Sequence, residues 1–174
     1  KKELNAEYVV VAAGTEANPV SMDTPDHYRD KVFTEVYPLR SVTGKSIDIV
    51  GAGDAAFDYA MTLSKNNKVT IHNRSESIKC IPALLEIARQ EPNISYVENS
   101  IPSFSSDYTI FATGRKPSLS CLSEKIKGQS TDLEAEGRLY FIGDMKNGMI
   151  RQCSVAIGDG IRAAMSIVSS LKIE

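Results

Sequence analysis

The sequence predicts an α/β fold in which strands alternate with helices and pair in a parallel sheet. Residues 46–74 carry the first observation: a short β-branched strand at 47–50, a glycine turn, an amphipathic helix and a second strand at 68–72. The second observation is an apolar strand pattern at 8–14 that recurs at 108–114. This order of elements favours parallel strands joined by right-handed crossovers.

The turn that follows the strand at 47–50 begins at Gly51 and reads Gly-Ala-Gly-Asp-Ala-Ala. It is a G-x-G-x-x-A fingerprint between a strand and a helix, the context in which this motif binds dinucleotides. Gly51 permits a tight turn, Gly53 permits close approach of a pyrophosphate, and Ala56 keeps the helix near the sheet. The N–H groups at the helix start, around Asp54 and Ala55, attract phosphate. The alternative is a tight packing turn that binds no nucleotide.

Composition and charge exclude several classes of protein. The 174 residues are 42% hydrophobic and 24% charged, as in an ordinary globular protein, and the net charge of −2 argues against a nucleic-acid or anionic-membrane surface. No apolar run reaches the roughly 20 residues that a membrane span needs. The three cysteines, Cys80, Cys121 and Cys153, are far apart and suggest neither a disulfide framework nor a zinc site. We therefore expect a reducing, cytoplasmic environment.

The first half of the chain contains one further helix and several connecting segments. The strand pattern at 8–14 is continuous enough to predict burial on both faces, and 18–40 is predicted to be a connector with three prolines. Pro82 should open a helix that runs to about Gln90, and a short strand is expected at 94–97. The likeness between the strands at 8–14 and 108–114 indicates two related units, unless buried strands simply look alike.

The C-terminal part is predicted to contain one strand and one helix. Residues 119–137 are charged and predicted to be irregular, and a strand at 138–142 is expected next. A final helix at 151–171 should place its apolar residues on one side. Those residues are Val155, Ile161, Ala164, Met165 and Val168.

Taken together, these patterns resemble the thioredoxin-reductase branch of the FAD-dependent pyridine-nucleotide oxidoreductases. The stretches that carry the resemblance are 51–60, 72–79 and 112–117, with a Gly-Asp pair at 143–144 and an Arg-Gln pair at 151–152. The resemblance covers nearly the whole chain. It implies a Rossmann-like three-layer nucleotide-binding domain, together with strands and a C-terminal helix from a second, incomplete Rossmann-like FAD domain that is discontinuous in the chain.

The resemblance also implies where the domains divide. Residues 1–19 would end the first FAD segment, 20–41 would be the crossover linker, 42–118 the NAD(P)H-binding domain and 119–174 the closing FAD segment. The FAD fingerprint of the first segment is missing, so the chain is expected to be a fragment or to have its other half on another chain. A Cys-x-x-Cys pair is also missing, because Thr34 and Tyr37 stand near its expected places.

The end of the strand at 68–72 bears on the choice of nucleotide. NAD-preferring sites usually place an acid about 20 residues after the glycines, but here the strand ends His72-Asn73-Arg74-Ser75, with no acid between the strand and Glu76. Arg74, Ser75 and Lys79 would instead bind a 2′-phosphate through charge-assisted hydrogen bonds. The resemblance implies a His-Arg-Arg pattern here, of which His72 and Arg74 are present. The alternative is that these are solvated surface cations.

The resemblance implies further cofactor contacts at the ends of other strands. Asp144 is similar to the aspartate that accepts from the FAD ribityl chain, with Gly143 before it, and the N-terminus of the last helix would face the flavin pyrimidine edge. That helix is opened by Arg151, Gln152 and Cys153. The remaining residues expected at the cofactors are Gly14, Ala112, Gly114 and Arg115. Helix N-termini are common, so chance remains an alternative for the flavin contacts.

The sequence thus predicts the NADP(H)-binding portion of an FAD-dependent oxidoreductase, with NAD(H) less favoured. Hydride would pass from NADPH to flavin and on to a ferredoxin-like protein, a quinone or a small oxidant. We assign no catalytic side chain and no metal, and expect this fragment alone to be inactive and to hold FAD weakly. The resemblance implies a homodimer, without nucleic acid or a membrane span. The alternative is a non-catalytic dinucleotide-binding or redox-sensing module.

Overall fold

The computed structural model describes residues 4–171, which form nine strands and four α-helices. The strands are β1 (Val9–Val11), β2 (Thr15–Ala17), β3 (Val32–Phe33), β4 (Ser46–Val50), β5 (Lys68–His72), β6 (Ile94–Val97), β7 (Tyr108–Phe111), β8 (Arg115–Pro117) and β9 (Leu139–Phe141). The helices are α1 (Asp54–Leu63), α2 (Pro82–Gln90), α3 (Glu124–Ala135) and α4 (Cys153–Ser170).

The chain divides into two compact units. The central unit comprises residues 17–115, and the flanking unit comprises 1–16 and 116–174, of which 4–16 and 116–171 are described. Short strands β2 and β8 pair with each other, and the unit boundaries fall within them. The cofactor-based domain assignment made from the sequence stays a prediction.

The central unit is built on a five-stranded parallel sheet with the order β3-β7-β4-β5-β6. Val50, the last residue of β4, lies opposite both His72 of β5 and Phe111 of β7. Three strands therefore end in line, and the segments that follow them leave the sheet at one edge. The prediction of a Rossmann-like α/β fold is confirmed.

The core of the central unit lies between this sheet and helices α1 and α2. Its buried residues from the sheet are Ile47, Ile49, Val69, Ile71 and Ile110, and those from α1 are Ala56, Phe57, Ala60 and Leu63. The α1 positions repeat at one-turn spacing, which places them on one face. Each large side chain buried here contributes about 1.5–3 kcal/mol relative to exposure. Pro82 occupies the first turn of α2, where its missing N–H leaves no helix bond unmade.

The opposite face of the sheet is covered by a 3-10 helix rather than an α-helix. Tyr28, in the 3-10 helix Asp26–Lys31, is 1% exposed, and its hydroxyl donates to the Ser106 carbonyl at 2.8 Å. The same hydroxyl lies 3.1 Å from Thr109 Oγ1 of β7, and the ring makes an edge contact with Phe104. Residues 18–40 therefore do more than connect, since they also supply the edge strand β3.

The flanking unit pairs β1 with β9 in parallel, packs α3 against β9, and packs α4 against the 3-10 turn Gly143–Met145. Its small core is made by Val11, Leu139 and Met145, with Leu122, Ile126, Leu133 and Phe141 against it. The prediction that β1 is buried on both faces is wrong, because Val9 and Val10 are 46% and 43% exposed. Among the described residues β1 has only β9 as a neighbour in this sheet.

One further expectation for the C-terminal part is wrong. The stretch at 119–137 is not irregular, because it contains helix α3. Ser123 caps the N-terminus of this helix by accepting from the Ile126 N–H at 3.4 Å. In α4, the predicted apolar side is largely exposed: Ile161, Met165 and Val168 are 57–66% exposed. The side of α4 that packs inward carries small and polar residues, with Asp159 and Ala163 buried.

Candidate nucleotide-binding site

The glycine turn lies where the strand order of the central sheet reverses. From β4 the chain continues to β5 and β6 on one side, and then returns to β7 on the other side of β4. In open α/β sheets, ligands bind at the carboxyl ends of the strands beside such a reversal. The turn at Gly51 and the segment at Ala112 are the two chain segments that leave the sheet there.

Only glycine fits at position 51, because of its backbone conformation and because a side chain there would clash with the neighbouring backbone. Its φ of +136° is rarely adopted by other residues, and a Cβ would lie 2.5 Å from the Ala112 carbonyl oxygen. Its N–H donates to the His72 carbonyl at 3.0 Å, while the Ala112 N–H donates to the Val50 carbonyl at 2.9 Å. The turn is thus fixed against both neighbouring strands.

Gly53 differs from Gly51, because it has an ordinary backbone conformation and open space. Its φ is −98°, and no heavy atom lies within 4 Å of the position a Cβ would take. It occupies the N-cap of α1, where no side chain caps the helix. Ala55 is exposed beside it, and Ala56 is fully buried against the sheet. The arrangement leaves room for a phosphate at the helix N-terminus.

The Asp54 carboxylate is engaged with the segment that precedes α2. It accepts from the Ile81 N–H at 2.8 Å, and nearby the Lys79 N–H donates to the Ala52 carbonyl at 2.9 Å. Burial and the adjacent Asp54 raise the pKa of Cys80 to about 11. The segment 79–81 is therefore hydrogen-bonded to the glycine turn.

The basic residues predicted from the sequence lie on the loop after β5. Arg74, Ser75 and Lys79 are all exposed, and within residues 4–171 neither Arg74 nor Lys79 forms an ion pair. The only acid on this loop is Glu76, whose Oε1 accepts from Asn99 Nδ2 at 3.5 Å. Two cations are thus available to an anionic ligand.

His72 is turned inward rather than towards solvent. Its side chain is 12% exposed, with Nδ1 2.8 Å from Ser100 Oγ and Nε2 3.3 Å from Asp48 Oδ1. The Asp48 pair is within ion-pair distance, although Nε2 makes no hydrogen bond of good geometry to any described residue. No sequence pattern indicates Asp48 or Ser100 as neighbours of His72, because these contacts depend on strand register and on a loop.

Gly114 and Arg115 follow β7 on the other side of the glycine turn. Gly114 has a φ of +103°, and a Cβ there would lie 3.0 Å from Asn18 Nδ2. The Arg115 guanidinium pairs with Glu35, which also accepts from the Tyr59 hydroxyl at 3.1 Å. Arg115 is therefore engaged with the protein, in contrast to Arg74.

The residues expected at a flavin lie in the flanking unit. Gly14 follows β1 with a φ of +67°, and Gly143 follows β9 with a φ of +70°. Asp144 is half-buried next to Gly143, and α4 begins at Cys153 with Gln152 at its N-cap and no side-chain cap. Arg151 precedes them and is partly buried. The site residues thus form two sets, one in each unit.

Asp159 is a buried polar residue of the flanking unit that sequence reasoning missed. Its Oδ2 accepts from the Gly143 N–H at 3.1 Å and from Asn147 Nδ2 at 2.5 Å. These hydrogen bonds lower the pKa of Asp159 below its usual value. The carboxylate therefore fixes the Gly143–Asp144 turn from beneath. An aspartate in the middle of a helix with small neighbours was the available signal.

The described residues form neither a metal-binding cluster nor a membrane-spanning helix. No cluster of three or more His, Cys, Asp or Glu side chains in residues 4–171 could hold a metal ion. Within the same range, no helix combines the length and the hydropathy that a membrane crossing requires.

Comparison with known proteins agrees with this arrangement. Residues 1–88 match the family model of the pyridine nucleotide-disulphide oxidoreductases. The chain belongs to this family. A curated relative, the ferredoxin–NADP reductase of Anaplasma marginale (strain St. Maries), is 35% identical over 82 residues, which are 44% of this chain and 25% of the relative. The resemblance to this family drawn from the sequence is confirmed.

Solved structures of several reductases share the fold. The thioredoxin reductase of Lactococcus lactis (FR conformation) has a TM-score of 0.76 at 17% identity, covering 93% of this chain and 66% of its own. That of T. acidophilum has a TM-score of 0.76 at 21% identity, covering 94% and 66%. The bacillithiol disulfide reductase Bdr of Bacillus cereus has a TM-score of 0.67 at 19% identity, covering 94% and 62%. The chain thus spans a quarter of the curated relative and about two thirds of these structures.

Proposed function

We propose that this chain supplies the NADP(H) site and part of the FAD site of an oxidoreductase that moves hydride from NADPH to flavin. Electrons then pass to an acceptor other than a protein disulfide. Family membership supports the oxidoreductase class, and the turn at Gly51 supports dinucleotide binding at the central unit. The single observation that favours NADPH over NADH is the exposure of Arg74 and Lys79 on the loop after β5, where neither forms an ion pair with any residue in the described range 4–171.

The residues of the central unit fit NADPH in a defined order. The α1 N-terminus and the open space above Gly53 would accept the pyrophosphate. Arg74, Ser75 and Lys79 would bind the 2′-phosphate, because a phosphate accepts charge-assisted hydrogen bonds from guanidinium, hydroxyl and ammonium groups. At the end of β5 the chain reads His72-Asn73-Arg74-Ser75, so no acid stands there to repel the phosphate.

The nucleotide preference can be tested with one arginine and a matched control. Replacing Arg74 with Ala should weaken NADPH binding by about 1–3 kcal/mol, because a charged hydrogen bond to the 2′-phosphate is lost, and NADH binding much less. Arg89, also exposed in the central unit but in the last turn of α2, is the control. The Arg89→Ala variant should bind both nucleotides as the wild type does. Titration calorimetry showing equal losses for NADPH and NADH in Arg74→Ala would contradict the proposal.

The flanking unit fits one end of a flavin. FAD supplies two-electron hydride chemistry, so the protein has to bind and orient it rather than to react itself. Asp144 would accept from a ribityl hydroxyl. The uncapped N-terminus of α4, at Gln152 and Cys153, would direct its N–H groups at an electron-rich edge. Asp159 holds the Gly143 turn in place for this contact.

The proposed acceptor follows from the cysteines and from the curated relative. Thr34 and Tyr37 stand where the redox cysteines of thioredoxin reductases are expected, and Cys80, Cys121 and Cys153 are all free. The curated relative is named as a reductase of ferredoxin. We therefore place a ferredoxin-like protein first among the acceptors, ahead of a quinone or a small oxidant.

Turnover without cysteines is the test of this acceptor class. In the full-length flavoprotein, a variant with all three cysteines changed to Ser should still oxidise NADPH with a ferredoxin as acceptor. Loss of turnover with flavin binding intact would reveal a cysteine relay. NADPH binding without flavin reduction in the wild type would favour a non-catalytic or redox-sensing module instead.

A further inference from the structure

The residue between His72 and Arg74 is buried, unlike the loop that follows it. Asn73 is 5% exposed, whereas Arg74, Ser75 and Glu76 are exposed. Its backbone continues the β5–β6 pairing, because the Asn73 N–H donates to the Val97 carbonyl at 2.9 Å. The side chain therefore leaves the sheet inward, beneath the loop that carries Arg74 and Lys79.

The carboxamide of Asn73 holds this loop at both of its polar atoms. Nδ2 donates to the Ser77 carbonyl at 3.0 Å and to the Tyr96 hydroxyl at 2.9 Å. Oδ1 accepts from the Ser75 N–H at 3.2 Å and from Ser75 Oγ at 3.3 Å. An amide has two donors and two acceptor positions, so all four are used.

These bonds reach loop residues on both sides of Glu76 and tie them to β6. Tyr96 is itself fixed, because its ring stacks on Phe57 of α1 with centroids 5.9 Å apart. At its far end the loop is fixed to the glycine turn, where the Lys79 N–H bonds to the Ala52 carbonyl. Arg74 and Lys79 therefore leave from the two anchored ends of one loop.

We propose that Asn73 is a positioning residue for recognition of the 2′-phosphate of NADPH. It touches no ligand; it sets the course of residues 74–78 so that Arg74, Ser75 and Lys79 converge on one anion. This rests on the proposed function, since it assumes that the loop binds the 2′-phosphate. It assigns nucleotide selectivity to a buried neutral side chain beneath the cations.

The family resemblance drawn from the sequence suggests a different role for Asn73. Its His-Arg-Arg pattern would have an arginine here, so Asn73 could be a ligand-binding position that has lost its charge. On that reading, Asn73→Arg should strengthen NADPH binding. If Asn73 is a positioning residue, Asn73→Arg should instead weaken NADPH binding. A guanidinium cannot find hydrogen-bond partners for all of its N–H groups in the space of a buried carboxamide, and it would push the loop outward.

The experiment compares the dissociation constants of NADPH and NADH for the full chain and its variants by titration calorimetry. Asn73→Ala should raise the NADPH constant about tenfold, as when one charge-assisted hydrogen bond is lost, and leave the NADH constant unchanged. Asn73→Arg should also raise the dissociation constant of NADPH. Tyr96→Phe keeps the ring on Phe57 and removes one bond to Asn73, so about a threefold rise is expected even if the Asn73 variants fold poorly.

Asn67 is the matched control for a merely structural effect. It is also 5% exposed in the central unit, and its side chain makes three hydrogen bonds, to Val42, Leu63 and Lys45. Asn67→Ala should lower stability without changing the ratio of the two constants. A stronger NADPH complex with Asn73→Arg, or equal losses for both nucleotides in Asn73→Ala and Tyr96→Phe, would overturn the role of Asn73. A wild type that does not prefer NADPH would overturn the 2′-phosphate site itself.

Discussion

The two glycines of the fingerprint should respond differently to substitution by alanine: Gly51→Ala should lower stability, whereas Gly53→Ala should lower nucleotide affinity. Gly51→Ala places a Cβ 2.5 Å from the Ala112 carbonyl oxygen and 3.0 Å from its carbonyl carbon, at a φ of +136°. Backbone strain of this kind costs about 1–3 kcal/mol, and the neighbouring backbone must also shift. We expect a total loss of about 3–5 kcal/mol in the free energy of unfolding of the central unit.

Gly53→Ala is the matched variant two residues away. Its φ of −98° suits alanine and no heavy atom lies within 4 Å of the new Cβ, so alanine gains about 0.4–1 kcal/mol from the stiffer unfolded chain; because alanine is a poorer N-cap than glycine by a similar amount, stability should stay about unchanged. The added methyl group would occupy the space through which a pyrophosphate approaches the α1 N-terminus. Nucleotide affinity should therefore fall in a variant that folds as well as the wild type.

Urea denaturation followed by far-UV circular dichroism suits this comparison, because the chain has no tryptophan. With an m-value of about 1–3 kcal/mol per M, a loss of about 3 kcal/mol moves the midpoint by about 1 M or more. Calorimetric titration with NADPH then measures affinity in Gly53→Ala. A Gly51→Ala midpoint equal to that of the wild type would refute the account of the turn. Full affinity in Gly53→Ala would refute the account of the phosphate site.

Two further predictions concern titratable groups. With a pKa of about 11, Cys80 at pH 8 has about a hundredfold less thiolate than an ordinary cysteine, so iodoacetamide should label it last, as followed by peptide mass spectrometry. Asp54→Asn should speed that labelling, and an unchanged rate would contradict the part assigned to Asp54. The pKa of Asp107 is lowered, because its carboxylate accepts from the Ser46 N–H and hydroxyl and from Lys45. The stability it contributes is present above about pH 4 and is lost as pH falls through the folded-state pKa. Asp107→Asn should therefore lose less stability than the wild type between pH 6 and pH 3, as measured by urea denaturation at each pH.

Much of the central unit could be predicted because its signals are local. Strand β5, helix α2 and strand β6 have the bounds that the sequence predicted, and α1 follows the glycine turn as expected. Alternating apolar residues, a proline at a helix start and a fingerprint turn each act within a few residues. The place of the site at the sheet edge then follows from parallel pairing.

Other features depend on contacts that the local sequence does not contain. Helix α3 buries no residue fully, and only Ile126 and Leu133 within it pack against the small core, so its apolar pattern was too sparse. Strand β3 is two residues long and exists through its pairing with Thr109 and Ile110. The side of α4 that faces inward carries small residues. Hydropathy alone would predict that the more apolar side, which is exposed, faces inward instead.

Sequence patterns do not show how the glycine turn is joined to the basic loop after β5. The pattern treats the glycine turn and the basic loop after β5 as separate motifs. In the structure the loop returns to the turn: Gly53 bridges to Lys79, the Lys79 N–H bonds to Ala52, and Asp54 accepts from Ile81. A ligand that reached both would be bound by one hydrogen-bonded frame. Because Asn73 fixes the near end of the loop and Asp54 the far end, a change at either residue would alter binding without removing any group that touches the nucleotide.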